Sequence, residues 1–152
     1  MVLRLRGLTR ALQDFFAAEA KAHELSPTEL IVLTRTTSGE PVTGAQLAQA
    51  LGMRSSSVTG LADRLEAKGL IARHAHPHDR RAVVLGATRR GRTVVNRAIG
   101  PLLGQLLALA QELDSNERVA VAAFLDRIDD ALRQSEHRPS SAPRRQPRRA
   151  AN

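Results

Sequence analysis

Arg54-Ser-Ser-Ser-Val-Thr-Gly-Leu-Ala-Asp-Arg-Leu-Glu-Ala-Lys68 is the stretch on which the reading of this chain turns. Val58, Leu61, Ala62 and Leu65 recur at i, i+3, i+4 and i+7, so a helix here buries one apolar face. The opposite face carries Ser56, Ser57, Thr59, Gly60, Asp63 and Arg64, short polar and basic groups that reach base edges or phosphates without obstruction. Gly69 stands where a left-handed residue would end the helix. Just upstream, Thr43 with Gln46 makes a capping box that opens a helix through Leu51, closed by Gly52. Ala48 is small enough for the two helices to pack closely and Gly52 permits the turn between them, the requirements of a helix-turn-helix. Downstream, Leu70 to His74 and Ala82 to Leu85 read as short strands joined by a loop over Ala75 to Arg81. A two-stranded hairpin is marginal alone, so this one must lean on the helices through Leu70, Ile71, Val83 and Leu85.

Working outward, residues 2 to 24 have a helical if irregular apolar spacing through Leu5, Leu8, Leu12, Phe15 and Phe16. Ser26, Pro27 at the first helical position and Glu29 three residues after the cap open a second helix with a complete capping box. Glu40-Pro41-Val42 is a short extended link, or a minor strand. After the hairpin, Gly86 and Thr88 return the chain to helix, with Thr88 as N-cap. Val95, Ile99, Leu102, Leu106, Leu109 and Leu113 then alternate spacings of four and three, a heptad seam. A second seam runs through Val121, Leu125, Ile128 and Leu132, behind a cap at Asp114 with Glu117. So much apolar surface exceeds what a small domain covers alone, and a homodimer is the simplest solution. An interior Pro101 beside Gly100 predicts a kink, or two helices in place of one.

With 152 residues the chain suits one domain, or one small domain plus an oligomerisation element. Absence of cysteine excludes disulfides, thiolate catalysis and Cys-ligated zinc. No apolar run approaches the roughly 18 to 20 residues that span a bilayer and no signal-peptide core is evident, so the expectation is a cytoplasmic protein. The net charge of +8 is unevenly placed: nine bases against three acids in residues 54–92, and five bases with no acid in 137–152. That distribution fits two segments facing a polyanion. Arginine supplies 21 of the 23 bases, which suits bidentate contact with phosphate or guanine but equally reflects a genome that favours Arg. There is no nucleophile elbow, phosphate loop, H-E-x-x-H or apolar carboxylate pair, so the chain does not read as an enzyme and calls for no cofactor. The segments are 1–24, a first helix; 25–88, the DNA-binding domain; 89–136, two long helices for dimerisation; and 137–152, a disordered basic tail.

The order helix, capped helix, helix-turn-helix, basic hairpin and two long helices resembles the MarR family of transcription regulators over roughly residues 5 to 135. The likeness is carried by S26-P-T-E29, L47-A-Q-A-L-G52, S57-V-T-G-L-A-D-R-L-E-A-K-G-L-I71 and H78-D-R-R81 before V83-V-L. It implies a mainly α fold with a small β-hairpin, a winged helix-turn-helix domain plus a helical dimerisation region. It further implies a homodimeric repressor on palindromic double-stranded DNA, with the recognition helix in a major groove and the wing at the flanking minor groove. Dimerisation would use the first helix together with Leu102, Leu106, Leu109, Leu113, Val121, Leu125, Ile128 and Leu132. A small-molecule effector would bind near Phe15, Phe16, His23, Leu30 and Leu33, although core packing explains Phe and Leu there equally well. The chain departs from the family pattern at Arg54, where a Ser cap is common, and at Gly60, where a basic residue is common.

The DNA contacts expected are Arg54, Ser55, Ser56, Ser57, Thr59, Arg64, Arg80 and Arg81. Ser and Thr also cap helices everywhere, and Arg64 is either a phosphate contact or a solvated partner of Glu66. Of Arg80 and Arg81, one is expected to enter a narrow minor groove and the other to fix the wing. Asp79 would orient a neighbouring arginine, and Asp63 is placed to brace the wing from the recognition helix. His74, His76 and His78 alternate and would share one side of a strand, weak candidates for a metal; the stronger reading is hydrogen bonding to phosphate, with pH-sensitive binding as a consequence. The arginine-rich tail would add salt-dependent backbone attraction. An architectural, low-specificity DNA-binding protein and an interaction protein holding some other partner are the alternatives.

Overall fold

The computed structural model describes residues 2–37, 39, 42–76 and 82–136. The element order is α1 (Val2–Ala22), α2 (Pro27–Arg35), β1 (Val42–Thr43), α3 (Gly44–Ala50), α4 (Ser55–Ala67), β2 (Ile71–Ala75), β3 (Val83–Ala87), α5 (Arg89–Glu112) and α6 (Ser115–Glu136). The chain is mainly α with a small antiparallel sheet, of strand order β1-β3-β2. The described residues form two compact units that divide between Leu109 and Ala110, inside α5.

Helix starts follow the sequence closely because their caps are local chemistry. At α2 the Ser26 hydroxyl accepts from the Glu29 amide while the Glu29 carboxylate accepts from the Ser26 amide at 2.8 Å, and Thr43 with Gln46 repeats the arrangement at α3. Gly52 and Gly69 lie at φ +59° and +67°, the left-handed values that close α3 and α4. The first unit's core gathers Leu30, Val32 and Leu33 of α2, Leu47 and Ala48 of α3, Val58, Leu61, Ala62 and Leu65 of α4, Ile71 and Leu85 of the sheet, and Val95, Ala98 and Ile99 of α5.

Three expectations change. The strands lie further along than the sequence suggested, and Gly86 is a strand residue paired with Ala72, not part of a return to helix. Glycine there leaves room for the His74 ring, whose Nε2 lies 3.6 Å from where a Cβ would stand. The minor strand is Val42–Thr43, pairing with Leu85 and Val84. Val95 and Ile99, read as the start of a heptad seam, are buried in the first unit's core, so the uncovered part of the seam begins at Leu102. Of the two forms expected at Pro101, division into two helices is absent: α5 runs through the exposed proline as one helix, at the cost of one helical hydrogen bond. One 18-residue window of α5 is long and apolar enough to pass for a membrane span, at mean hydropathy 1.3, but the helix's first half supplies core residues.

In the second unit α6 is opened by the expected cap, the Asp114 carboxylate accepting from the amides of Asn116 and Glu117. Val121, Phe124, Leu125 and Leu132 on it are exposed, and Ile128 is half-buried.

Candidate nucleic-acid interface

The apolar stripe of α4 is wholly buried, so its opposite face points outward by geometry alone. Arg54 is the N-cap residue in extended conformation, and its side chain makes no cap bond. Its carbonyl accepts from the amides of Ser57 and Val58 at 3.0 and 3.2 Å. The helix therefore begins without a capping oxygen, the arrangement in which N-terminal amides and the helix dipole favour an incoming anion. Ser55, Ser56, Ser57 and Thr59 are exposed along this face. The Thr59 hydroxyl donates to the Ser55 carbonyl at 3.0 Å, so what it offers a partner is its lone pair and its methyl group. A shallow groove of about 490 Å³ lies over this face, lined by Ser26, Thr28, Met53, Ser56, Ser57, Gly60, Leu61 and Arg64.

Two ion-pair clamps fix α4. On one flank Arg64 donates through Nε to Glu29 Oε1 at 2.9 Å, and Lys68 one turn later reaches Glu29 Oε2 at 3.4 Å and the Glu24 carbonyl at 2.8 Å. Glu29 is a buried acid, 6% exposed in its side chain, and it also holds the α2 capping box. On the other flank Arg73 of β2 pairs with Asp63 at 2.5 Å and with Glu66. Asp63 and Glu66, three apart, share a face of α4, as do Arg64 and Lys68, four apart. α4 is thus tied to α2 on one side and to β2 on the other. The hydrogen bond from Arg73 to Asp63, reinforced by both carboxylates' charge, holds the Arg73 guanidinium above its ordinary pKa.

Burial pushes the Glu29 carboxyl up, but the Ser26 amide, Arg64 and Lys68 outweigh it and hold the group below the ordinary 4.5. A folded-state value below the unfolded one means that ionised Glu29 stabilises the fold at neutral pH, and that this contribution is lost as pH falls through the depressed value. Thermal melting of the wild type should therefore lose stability steeply below about pH 4.5, and Glu29→Gln should flatten that part of the profile while melting lower at pH 7. Parallel profiles for the two proteins would remove Glu29 from the acid transition.

Other expected site residues are dispersed. His78, Asp79, Arg80 and Arg81 lie outside the described residues. His74 is exposed and rests over Gly86, and His76, just past the end of β2, is half-buried. Among the described residues no three metal-ligating side chains converge. The five effector candidates share none of the cavities formed by the described residues. Phe16 lines an apolar one of about 410 Å³ with Thr9, Leu12, Gln13, Pro27 and Ile31. His23 lines a smaller polar one with Glu24, Ala67, Lys68, Leu70, Arg90 and Val94. Leu30, like Leu33, is fully buried core, and Phe15 meets Phe16 edge to face at 5.7 Å. Leu106 and Leu109 are exposed, while Leu102 and Leu113 are half-buried.

Sequence reasoning missed Glu29 as the partner of Arg64, Arg73 as the partner of Asp63, and Gly91, over which the Leu70 backbone closes. Only the last carried a local signal, a glycine in the first turn of a helix among three arginines.

A sequence model described as the MarR family matches residues 23–82. The uncharacterized HTH-type transcriptional regulator YcgE of Bacillus subtilis is 30% identical over 118 residues, 78% of this chain and 77% of that protein. The HTH-type transcriptional repressor MdtR of the same bacterium is 32% identical over 89 residues, 59% of this chain and 57% of that protein. A MepR variant from a multidrug-resistant S. aureus clinical isolate has the same fold, with TM-score 0.70 at 20% identity over 86% of this chain and 96% of that one. Another MepR variant, bound to an oligodeoxyribonucleotide, gives TM-score 0.55 at 20% identity over 86% and 96%.

Proposed function

The chain belongs to the MarR family of DNA-binding transcription regulators, which are not enzymes, and from that premise we propose that it is a homodimeric repressor released from a palindromic operator by a small-molecule effector. The observation that carries this reading is the uncapped N-terminal half of α4, its outer face exposed, on a helix held further along by ion pairs on both flanks. That half enters the major groove, with Arg54, Ser55, Ser56, Ser57 and Thr59 on phosphates and base edges. Residues 25–88 bind DNA. Residues 1–24 and 89–136 pair two copies through the uncovered leucines of α1, α5 and α6, and the two-fold axis of that pair sets the palindrome. Repression is supported by the likeness to MdtR, a transcriptional repressor, and DNA binding by the MepR variant bound to an oligodeoxyribonucleotide. For the effector, the apolar cavity over Phe16 and Ile31 offers space, and Phe16 is the one aromatic on its wall.

The wing supplies Arg80 and Arg81 to the flanking minor groove, with Asp79 orienting one of them and Asp63 bracing the strand through Arg73. Changing Arg80 and Arg81 together to alanine should weaken operator binding about ten- to hundredfold in gel-shift titration, with the dimer mass unchanged. Unaltered affinity would remove the wing from the interface. Footprinting on the upstream region of the protein's own coding sequence should show a discrete protected palindrome; protection spread without preference would replace the repressor reading with that of an architectural protein.

A further inference from the structure

Within the reading that α4 enters the major groove, we propose that Arg64 reads a guanine of the operator, that it does so across the gap left by Gly60, and that Glu29 is its positioning residue. A Cβ added at Gly60 would meet one atom, Arg64 Nη1 at 3.7 Å, so the guanidinium lies over the bare backbone of Gly60, one turn before its own Cα. Long helical side chains lean toward the helix N-terminus, which explains the reach. A cation is thereby delivered to the middle of the exposed face, in the same groove as Ser56 and Ser57, although the residue at that place has no side chain.

The manner of holding separates a base reader from a phosphate contact. Glu29 takes Nε, one of five donors, and thereby fixes the guanidinium plane. No other hydrogen bond of Arg64 is present among the described residues, so the Nη1–Nη2 edge carries the two parallel N–H groups that match guanine O6 and N7. Arg64 is 58% exposed in its side chain, yet its anchor is buried and pinned by the Ser26 amide, so orientation is fixed before DNA arrives. Phosphate binding would gain nothing from this, because a loosely tethered arginine serves a phosphate as well, and a carboxylate shared by Arg64 and Lys68 subtracts from the attraction. Base reading gains from a fixed plane and tolerates the lost charge.

The test compares the wild type, Arg64→Ala, Arg64→Lys and Glu29→Gln on the footprinted operator and on a set in which each base pair is replaced in turn, from 50 to 200 mM salt, roughly the span over which phosphate contacts show their slope. One G·C pair in each half-site should discriminate for the wild type by roughly ten- to hundredfold, and Arg64→Ala should erase that preference while leaving the others intact. Arg64→Lys keeps the charge without the fork, so it should lose the same preference at an unchanged salt slope. Glu29→Gln should reduce the preference several-fold while binding to nonspecific DNA stays equal or strengthens, a pattern that general loss of structure does not produce. Uniform weakening by Arg64→Ala across all sequences, with the salt slope lowered by about one, would make Arg64 a phosphate contact and overturn the proposal. A Glu29→Gln protein with wild-type preference would overturn the role of Glu29. A wild type without any base preference would instead sink the operator reading itself.

Discussion

Gly91→Ala should lower stability by about 3 kcal/mol or more, at the upper end of what overpacking costs, and Gly91→Val should fail to fold. A Cβ on Gly91 would lie 2.0 Å from the Leu70 carbonyl oxygen and 3.1 Å from Leu33 Cδ1. The carbonyl cannot move aside, because it accepts from the Thr88 amide at 2.9 Å and from the Thr88 hydroxyl at 3.2 Å. Thr88 in turn caps α5 by accepting from the Gly91 amide at 3.0 Å. Leu33 is fully buried, so displacing it disturbs the centre of the core. The contact seats α5 against the end of α4, and the strain would fall where the DNA-binding unit is joined to its long helix. Thermal melting should show a drop of about 10 °C for alanine, at the 2–4 °C per kcal/mol expected for a chain of this size. Gly104→Ala in the same helix is the control: nothing lies within 4 Å of its Cβ, so better helix propensity should raise stability by about 0.5–1 kcal/mol. Equal effects at the two positions would show that the close approach at Leu70 is not what limits Gly91.

What the sequence made legible was the chemistry that acts within a few residues. Both capping boxes, the left-handed Gly52 and Gly69 and the buried stripe of α4 are determined by neighbours three or four positions away, and each stands where the spacing placed it. Contacts between elements were not legible. Glu29 reaches Arg64 and Lys68 across 35 and 39 residues, and nothing in S-P-T-E distinguishes a cap that stays at the surface from one buried under a second helix. Arg73 is one base in a basic segment until β2 sets it against Asp63 and Glu66. The heptad seam of α5 failed at its start for a related reason: a period of 3.5 and one of 3.6 coincide over two turns, so Val95 and Ile99 satisfy a seam and a core stripe alike. The family resemblance placed Phe15, Phe16, His23, Leu30 and Leu33 around one cleft, yet Leu30 and Leu33 are buried core and His23 stands just past α1, with Phe16 at the apolar cavity.

Replacing Leu106 and Leu109 together by aspartate should abolish the proposed homodimer and with it specific DNA binding. The two side chains are 49% and 58% exposed, so within one chain the change touches no core and should cost the protomer's fold little. In a two-fold dimer each substitution occurs twice, and four half-covered leucines leave the interface. At roughly 1 kcal/mol for the remaining half of each side chain, the loss is about 4 kcal/mol, or near a thousandfold in dimer Kd, before the penalty for burying aspartate. A palindrome then meets single recognition helices, and affinity should fall toward the nonspecific level, about a thousandfold or more below specific binding. Mass measurement in solution should show dimer for the wild type and monomer for the variant, with helical circular dichroism retained. A variant that stays dimeric would move the interface elsewhere; one that is monomeric yet binds the palindrome with wild-type affinity would remove dimerisation from the mechanism.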